Sequence, residues 1–292
     1  MTVAPPCPAP DPNPRGPRSF VVPRGAVDTH AHVIGLPPAY PFVDARSYTP
    51  PEASPDAYIA MLDATGMTYG VLIQVSVHGA DNRRMLETLT AHRERLRGIA
   101  VMPLGQRDGT YADAKHNGVV GLRLNVLYGG GIGFDALADY EALAREMEWH
   151  LQFLIDVREL AGIASRVARL EVPFVVDHMG HFSTRDVAVD HPAFETLVSL
   201  VRDGGWVKLS GAYRLSDEAL PYADTVRYAH RLVDAAADRC LWGSDWPHVA
   251  HFDQPMMNVG DLLDTLALWA PDTTLRDRIL VDNPARLYGF GA

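Results

Sequence analysis

The chain predicts a single-domain α/β protein built as a (β/α)8 TIM barrel, and three observations carry that expectation. Apolar, strand-like runs alternate with helical stretches eight times from Val27 onward. The runs are apolar on both faces, as strands of a helix-covered parallel sheet must be. Chemically active side chains gather where the runs end, which is where barrels of this kind build their sites. At 292 residues the chain has room for one such barrel or two ordinary domains, and no break in composition divides it. A doubly wound open sheet is the alternative. It is weakened because no Gly-x-Gly-x-x-Gly turn follows the first strand, and Gly129-Gly130-Gly131 follows the fourth without that spacing.

Residues 1–19 hold seven prolines and little periodicity, so they read as an extended or disordered leader ahead of a barrel domain at 20–292. The first strand runs through Ala26-Val27-Asp28-Thr29-His30-Ala31-His32-Val33. Alternation puts Asp28, His30 and His32 on one face, where two imidazoles can converge on one water or metal ion. The second strand is Gly70–His78, followed by a helical pattern from Asp81 through Met85, Leu86, Leu89 and Leu96. Gly98–Leu104 is the third, with a short helix over Tyr111–Asn117. Val119–Leu127 is the fourth, with a helix over Asp135–Trp149. His150–Val157 and Pro173–His178 are the fifth and sixth, each followed by a helix (Glu159–Leu170 and His191–Arg202). Trp206–Tyr213 leads to a helix over Asp217–Ala237, and Arg239–Trp246 to helices over Asn258–Trp269 and from Leu275 onward.

The polar residues at the strand ends then form a pattern. The first strand ends in His30 and His32, the second carries Ser76 and His78, and the fourth Arg123 and Asn125. The fifth ends near Asp156 and the sixth in Asp177-His178. The seventh reaches Lys208, Ser210 and Arg214, and the eighth ends in Asp245 with His248 beyond. Lys208 and Asp156 read equally well as rim residues or halves of structural ion pairs, and His191 and His251 as surface residues. His30, His32, His178 and Asp245 reach one rim through independent strands, and that convergence makes them the candidate catalytic set.

Charge narrows the partners. With 36 acidic against 26 basic residues the net charge is −10 and no long basic run exists, so a nucleic-acid partner is not expected. Any anionic ligand then needs local arginines. Apolar runs fall far short of the roughly 20 residues of a membrane span, and the N-terminus lacks a signal-peptide layout. Two cysteines, Cys7 and Cys240, form no disulfide framework, and a cytoplasmic protein is the expectation. A homo-oligomer is compatible with all of this.

Several motifs in one order resemble the amidohydrolase superfamily, in particular its 2-pyrone-4,6-dicarboxylate lactonase branch. They are His30-Ala31-His32, Gln74–Gly79 with Asp81-Asn82, Arg97–Val101, Gly121–Asn125, Val176–Gly180, Leu241–His248 and Asp282–Tyr288. The resemblance runs from about Val27 to Tyr288. It implies ring-opening hydrolysis of a small anionic lactone in aromatic or sugar-acid breakdown. Asp245 would be the general base, and His30, His32 and His178 would polarise the carbonyl and stabilise the tetrahedral intermediate. Arg123 and Arg214 would anchor carboxylates. Ser76, His78, Asn125 and His248 complete the candidate substrate-binding set.

The departures matter too. The wider superfamily bridges two metals with a strand-four lysine or glutamate and adds a strand-five histidine. Here those strands carry Arg123 and Asn125, and Phe153, Leu154 and Asp156. The departures argue against a binuclear centre, and the resemblance to the lactonase branch implies an enzyme that requires no cofactor, with protonated imidazoles supplying the positive field a metal would. The alternative is one zinc- or manganese-like ion on His30, His32 and Asp245 with His178 nearby, in a hydrolase or decarboxylase. Leu154 stands where those lactonases carry a tyrosine, which bears on the lactone taken. A non-catalytic ligand-binding barrel is the reading from another class.

Overall fold

A computed structural model describes residues 4–252 and 254–291. Its sheet has eight parallel strands in chain order: β1 (Val27–Ala31), β2 (Tyr69–Ile73), β3 (Leu96–Ala100), β4 (Val119–Asn125), β5 (His150–Leu154), β6 (Phe174–Val176), β7 (Trp206–Leu209) and β8 (Cys240–Trp242). The end of β8 closes the ring on β1. Asp245 N donates to His30 O and His32 N to Trp246 O, both at 2.8 Å. This is the (β/α)8 barrel the alternation predicts.

The helices are α1 (Pro55–Thr65), α2 (Arg83–Ala91), α3 (Thr110–His116), α4 (Leu137–Met147), α5 (Val157–Val167), α6 (Pro192–Arg202), α7 (Ala212–Leu215), α8 (Val226–Ala236), α9 (Val259–Trp269), α10 (Thr273–Asp277) and α11 (Asn283–Tyr288). Local chemistry starts them: Ser54 accepts from Ala57 N ahead of Pro55 at the head of α1, Asp156 caps α5, and Asn258 caps α9. Among the described residues no helix is long and apolar enough to cross a membrane.

Three differences from the sequence reading share one cause, that apolar runs continue past the last ladder hydrogen bond. His32, Asp177 and Asp245 follow their strands rather than ending them, and the second and sixth strands give way to single 3-10 turns, Ser76–His78 and His178–Gly180. After β7 the chain turns into α7, which carries Arg214, and α8 begins only at Val226 instead of Asp217. From Arg278 to Asp282 the last helical stretch widens into a π-turn. Asp28 also departs. The register shifts between Asp28 and Ala31, and the Asp28 carboxylate turns from the cavity to Ser244 N (2.8 Å), Ser244 Oγ (2.7 Å) and Tyr58 Oη (3.2 Å).

The barrel floor is apolar, with Val27, Val71, Ile73, Ile99, Val175 and Leu241 packed together beneath a C-terminal plug of Tyr288 and Phe290. Burying each such aliphatic side chain contributes about 1.5–3 kcal/mol, and here it confines polar chemistry to the opposite end. Residues 4–19 lie along the barrel with no helix and a single bridge, Pro6 to Thr49. Asn258 Nδ2 donates to Asp11 Oδ2 and Asn13 O, Arg15 pairs with Asp261, and the Arg18 and Ser19 amides meet Asp264.

Candidate active site

The site forms where β8 and β1 meet. A Cβ on Gly243 would lie 2.6 Å from His30 Cβ and 2.8 Å from His30 N, so only glycine lets the chain pass this close. Two residues on, Asp245 takes φ 61°, and His178 (50°), His181 (46°) and His248 (64°) are also left-handed. Such backbone costs about 1–3 kcal/mol per residue and persists where surroundings over-determine it, as at functional sites.

Asp245 Oδ2 accepts from Tyr213 Oη at 2.7 Å and Arg214 Nε at 2.5 Å. Among the described residues Oδ1 has no such partner, and it lies 3.8 Å from His30 Nε2. His178 Nε2 is 3.9 Å from Oδ2. Burial opposes the charge on Asp245, but the Arg214 guanidinium and its hydrogen bond outweigh it and hold the carboxyl well below its usual range.

Burial drives the imidazoles the other way. It lowers His30 against the pull of Asp177, and with His30 and Arg123 nearby it takes His32 well down; His178 is also held well below its ordinary value. The trio is therefore neutral, correcting the expectation of protonated imidazoles. Positive charge comes instead from Arg123 and Arg214. His32 Nδ1 lies 2.8 Å from Ile73 O. A carbonyl only accepts, so His32 carries its proton on Nδ1 and presents Nε2 as an acceptor, not a polarising donor.

A narrow cavity of ≈ 10 Å³, room for about one water, is walled by His32, His178, Asp245, Arg123, Arg214 and Ser76, with Leu154 as an apolar face. Arg123 donates to Gln74 O at 2.9 Å and keeps its Nε free of partners. Arg214 reaches Val249 O at 2.9 Å and Tyr128 Oη at 3.5 Å. The other candidates lie off the cavity wall. His78 packs on Phe42 with Nδ1 toward Pro41 O. Asn125 Oδ1 accepts from the Leu127 and Tyr128 amides and shapes their loop. His248 stands edge-on to Tyr213. Asp156 caps α5 and pairs with Arg158, His191 caps α6, and His251, expected at the surface, is buried beside Tyr213.

Sequence reasoning missed several neighbours. Tyr48, whose hydroxyl is 3.1 Å from Ser76 Oγ, and Tyr128 and His181 also wall the cavity. Tyr48 and Tyr128 come from loops without periodicity, and His181 lies past the sixth strand. Tyr213 adjoins Arg214 in the sequence, which was a usable signal. Lys208 is fully buried rather than at the rim, among Asp177, Gln152 and His30.

The donor set that comes together within ligand distance is His30, His178 and Asp245, with His178 in place of the expected His32. Two neutral imidazoles and a carboxylate suit a divalent cation by type, and His30 Nε2 is buried without a partner.

A parallel barrel with histidines and an aspartate at the C-terminal strand ends is the architecture of amidohydrolases, and the chain belongs to the Amidohydrolase family, whose model matches residues 27–290. Within the family it is similar to a 4-sulfomuconolactone hydrolase of Rhizobium radiobacter, 38% identical over 98% of this chain and 96% of the relative. It is also similar to a 2-pyrone-4,6-dicarboxylate hydrolase of Comamonas testosteroni, 33% identical over 94% and 93%. An apo crystal structure from Agrobacterium tumefaciens superposes with a TM-score of 0.83 at 27% identity, covering 96% and 98% of the two chains.

Proposed function

We propose that this enzyme hydrolyses a small lactone bearing carboxylate or sulfonate groups, opening its ring. The observation that carries the reading is Asp245, with Oδ2 anchored by Tyr213 and Arg214 and Oδ1 free, facing His30 and His178 in a cavity with two guanidinium groups. Names of the relatives support the substrate class.

In this mechanism Asp245 Oδ1 takes a proton from water as the water oxygen bonds to the lactone carbonyl carbon. His178 is 2.9 Å from Ser210 Oγ through Nδ1. With the Ser210 hydroxyl donating there, His178 Nε2–H points into the cavity and stabilises the oxyanion. Collapse breaks the ring acyl C–O bond, and the proton on Asp245 passes to the departing ring oxygen. Arg123, Arg214, Tyr128 and Tyr48 hold the substrate's anionic groups, and Leu154 packs against the ring.

The divalent-cation reading differs in the role of the same residues: His30, His178 and Asp245 would hold the ion, which would supply Lewis acidity at the carbonyl. Against a requirement for it stands Arg214, whose guanidinium already neutralises Asp245. Residues 20–292 are the catalytic barrel in this reading and 1–19 its leader. Two free thiols suit a reducing cytoplasm.

The test is a panel of carboxylated, sulfonated and uncharged lactones with demetallated protein, residual metal being checked by elemental analysis. Ring-opening of the charged lactones at full rate supports the reading. Activity that returns only with zinc or manganese replaces the metal-free form with the second one, and turnover of no lactone ends both.

A further inference from the structure

Beneath His30 lies a group of charges that the mechanism does not use. Lys208, Asp177, Gln152 and His30 are all fully buried. Lys208 Nζ is 2.8 Å from Thr29 O and 2.9 Å from Gln152 Oε1. Its third hydrogen lies between His30 Nδ1 at 3.3 Å and Asp177 Oδ1 at 3.4 Å. Gln152 Nε2 donates to Asp177 Oδ2 at 3.1 Å, so the amide faces the carboxylate with its nitrogen and the ammonium with its oxygen. That leaves two atoms over. Asp177 Oδ1, 3.2 Å from His30 Nδ1, has no established donor, and His30 Nε2 has no hydrogen-bond partner, among the described residues.

A buried carboxylate oxygen without a donor is costlier than a buried imidazole nitrogen without one, because the charge concentrates the desolvation penalty. The ammonium only donates, so giving its third hydrogen to a bare Nδ1 would leave Asp177 Oδ1 without a donor; the stable arrangement turns that hydrogen to Asp177 Oδ1 and gives the same oxygen the His30 Nδ1–H. We infer that Asp177, kept charged by Lys208, is a positioning residue that holds the His30 proton on Nδ1 and turns the Nε2 lone pair toward Asp245. Two acceptors then face each other, Nε2 and Asp245 Oδ1, 3.8 Å apart. That distance is too long for a direct contact and leaves room for a water giving one hydrogen to each. On the hydrolytic reading, to which this step belongs, such a water presents its oxygen lone pair to the carbonyl carbon, with Asp245 ready to take the proton.

The test reads the tautomer without any substrate, so its failure is separable from failure of the lactone reading. Nitrogen-15 histidine spectra are recorded on chelator-treated protein, His30 being assigned by the signal lost in His30→Gln. The expected result is a protonated Nδ1 and a bare Nε2 in the wild type. Asp177→Asn and Asp177→Ala, which remove the carboxylate that accepts from Nδ1 and leave the Lys208 ammonium as its donor, move the proton toward Nε2. On an accepted lactone Asp177→Asn loses on the order of 100-fold in kcat with KM little changed, as mis-set tautomers do, and Asp177→Glu recovers part of it. A wild-type proton on Nε2 overturns the inference even if neither variant folds. So does an unchanged tautomer in variants that lose only thermal stability, since the group would then merely tie β6 to β7.

Discussion

At the scale of single residues, the site divides its carboxylate between two tasks. Asp245 Oδ2 is committed to Tyr213 and Arg214, and the proton-accepting oxygen is Oδ1. Asp245→Asn keeps the size and the anchoring oxygen but cannot take a proton. Turnover should fall by about 10²–10⁴-fold in a protein that still folds, with a lowered melting temperature because Arg214 loses its buried counter-charge, measured by steady-state kinetics beside calorimetry. Near-wild-type turnover would place the base elsewhere. The guanidiniums predict a different signature. Arg123→Met should lower kcat/KM on charged lactones by about 10–100-fold while leaving the slow rate on uncharged ones less affected, since a buried charge-assisted contact is worth roughly 1.5–3 kcal/mol. An equal loss on both would remove its anchor role. Arg214→Met should cost more, because the same side chain also fixes Asp245.

At the scale of elements, the strands and the order of their polar ends were legible because both follow from periodicity. Hydrophobic runs mark the strands; His30 lies within β1, and His178 and Asp245 come two and three residues after β6 and β8. What periodicity cannot carry is the aim of a side chain after the ladder ends. His78 and Asn125 stand at strand ends in the sequence yet serve loops, while Tyr48 and Tyr128 reach the cavity from segments without any repeat. Lys208 was ambiguous because its residue type favours a rim, and only closure of the barrel around Gln152 and Asp177 makes a buried ammonium tenable. Closure itself depends on Gly243. Gly243→Ala puts a methyl 2.6 Å from His30 Cβ, against backbone as well as side chain. It should cost about 1–3 kcal/mol of stability. Because His30 must move, kcat should fall further than the melting temperature suggests. A variant with wild-type kcat would show that the seam between β8 and β1 tolerates more room than its contacts indicate.

At the scale of the whole molecule, the barrel encloses neutral histidines, and that fixes how its stability responds to acid. Burial takes His150 on the floor to about 3, His248 to about 3 and, with Arg214 adding to it, His181 to about 4. An unfolded histidine titrates near 6.5. Between that value and the folded one the unfolded chain binds more protons, so stability is complete above about 6.5 and falls as the pH drops. At pH 5 each of the three withdraws about 2 kcal/mol. Asp28 has the opposite sign. Burial raises it to about 6 despite its hydrogen bonds from Ser244, so the folded state binds the extra proton and regains about 1 kcal/mol over the same interval. Asp245 and Asp177, both held well below the carboxylate range, keep their contribution until the pH is far lower. The histidines dominate. The urea midpoint should therefore decline from pH 7 to pH 5, well before any carboxylate of the site is protonated. Replacing His150 by glutamine should remove its own share of the decline, about 2 kcal/mol at pH 5, without touching the cavity. A midpoint that holds steady or rises over that interval would mean that these imidazoles are charged in the folded protein, and a neutral trio beside Asp245 could not then be maintained.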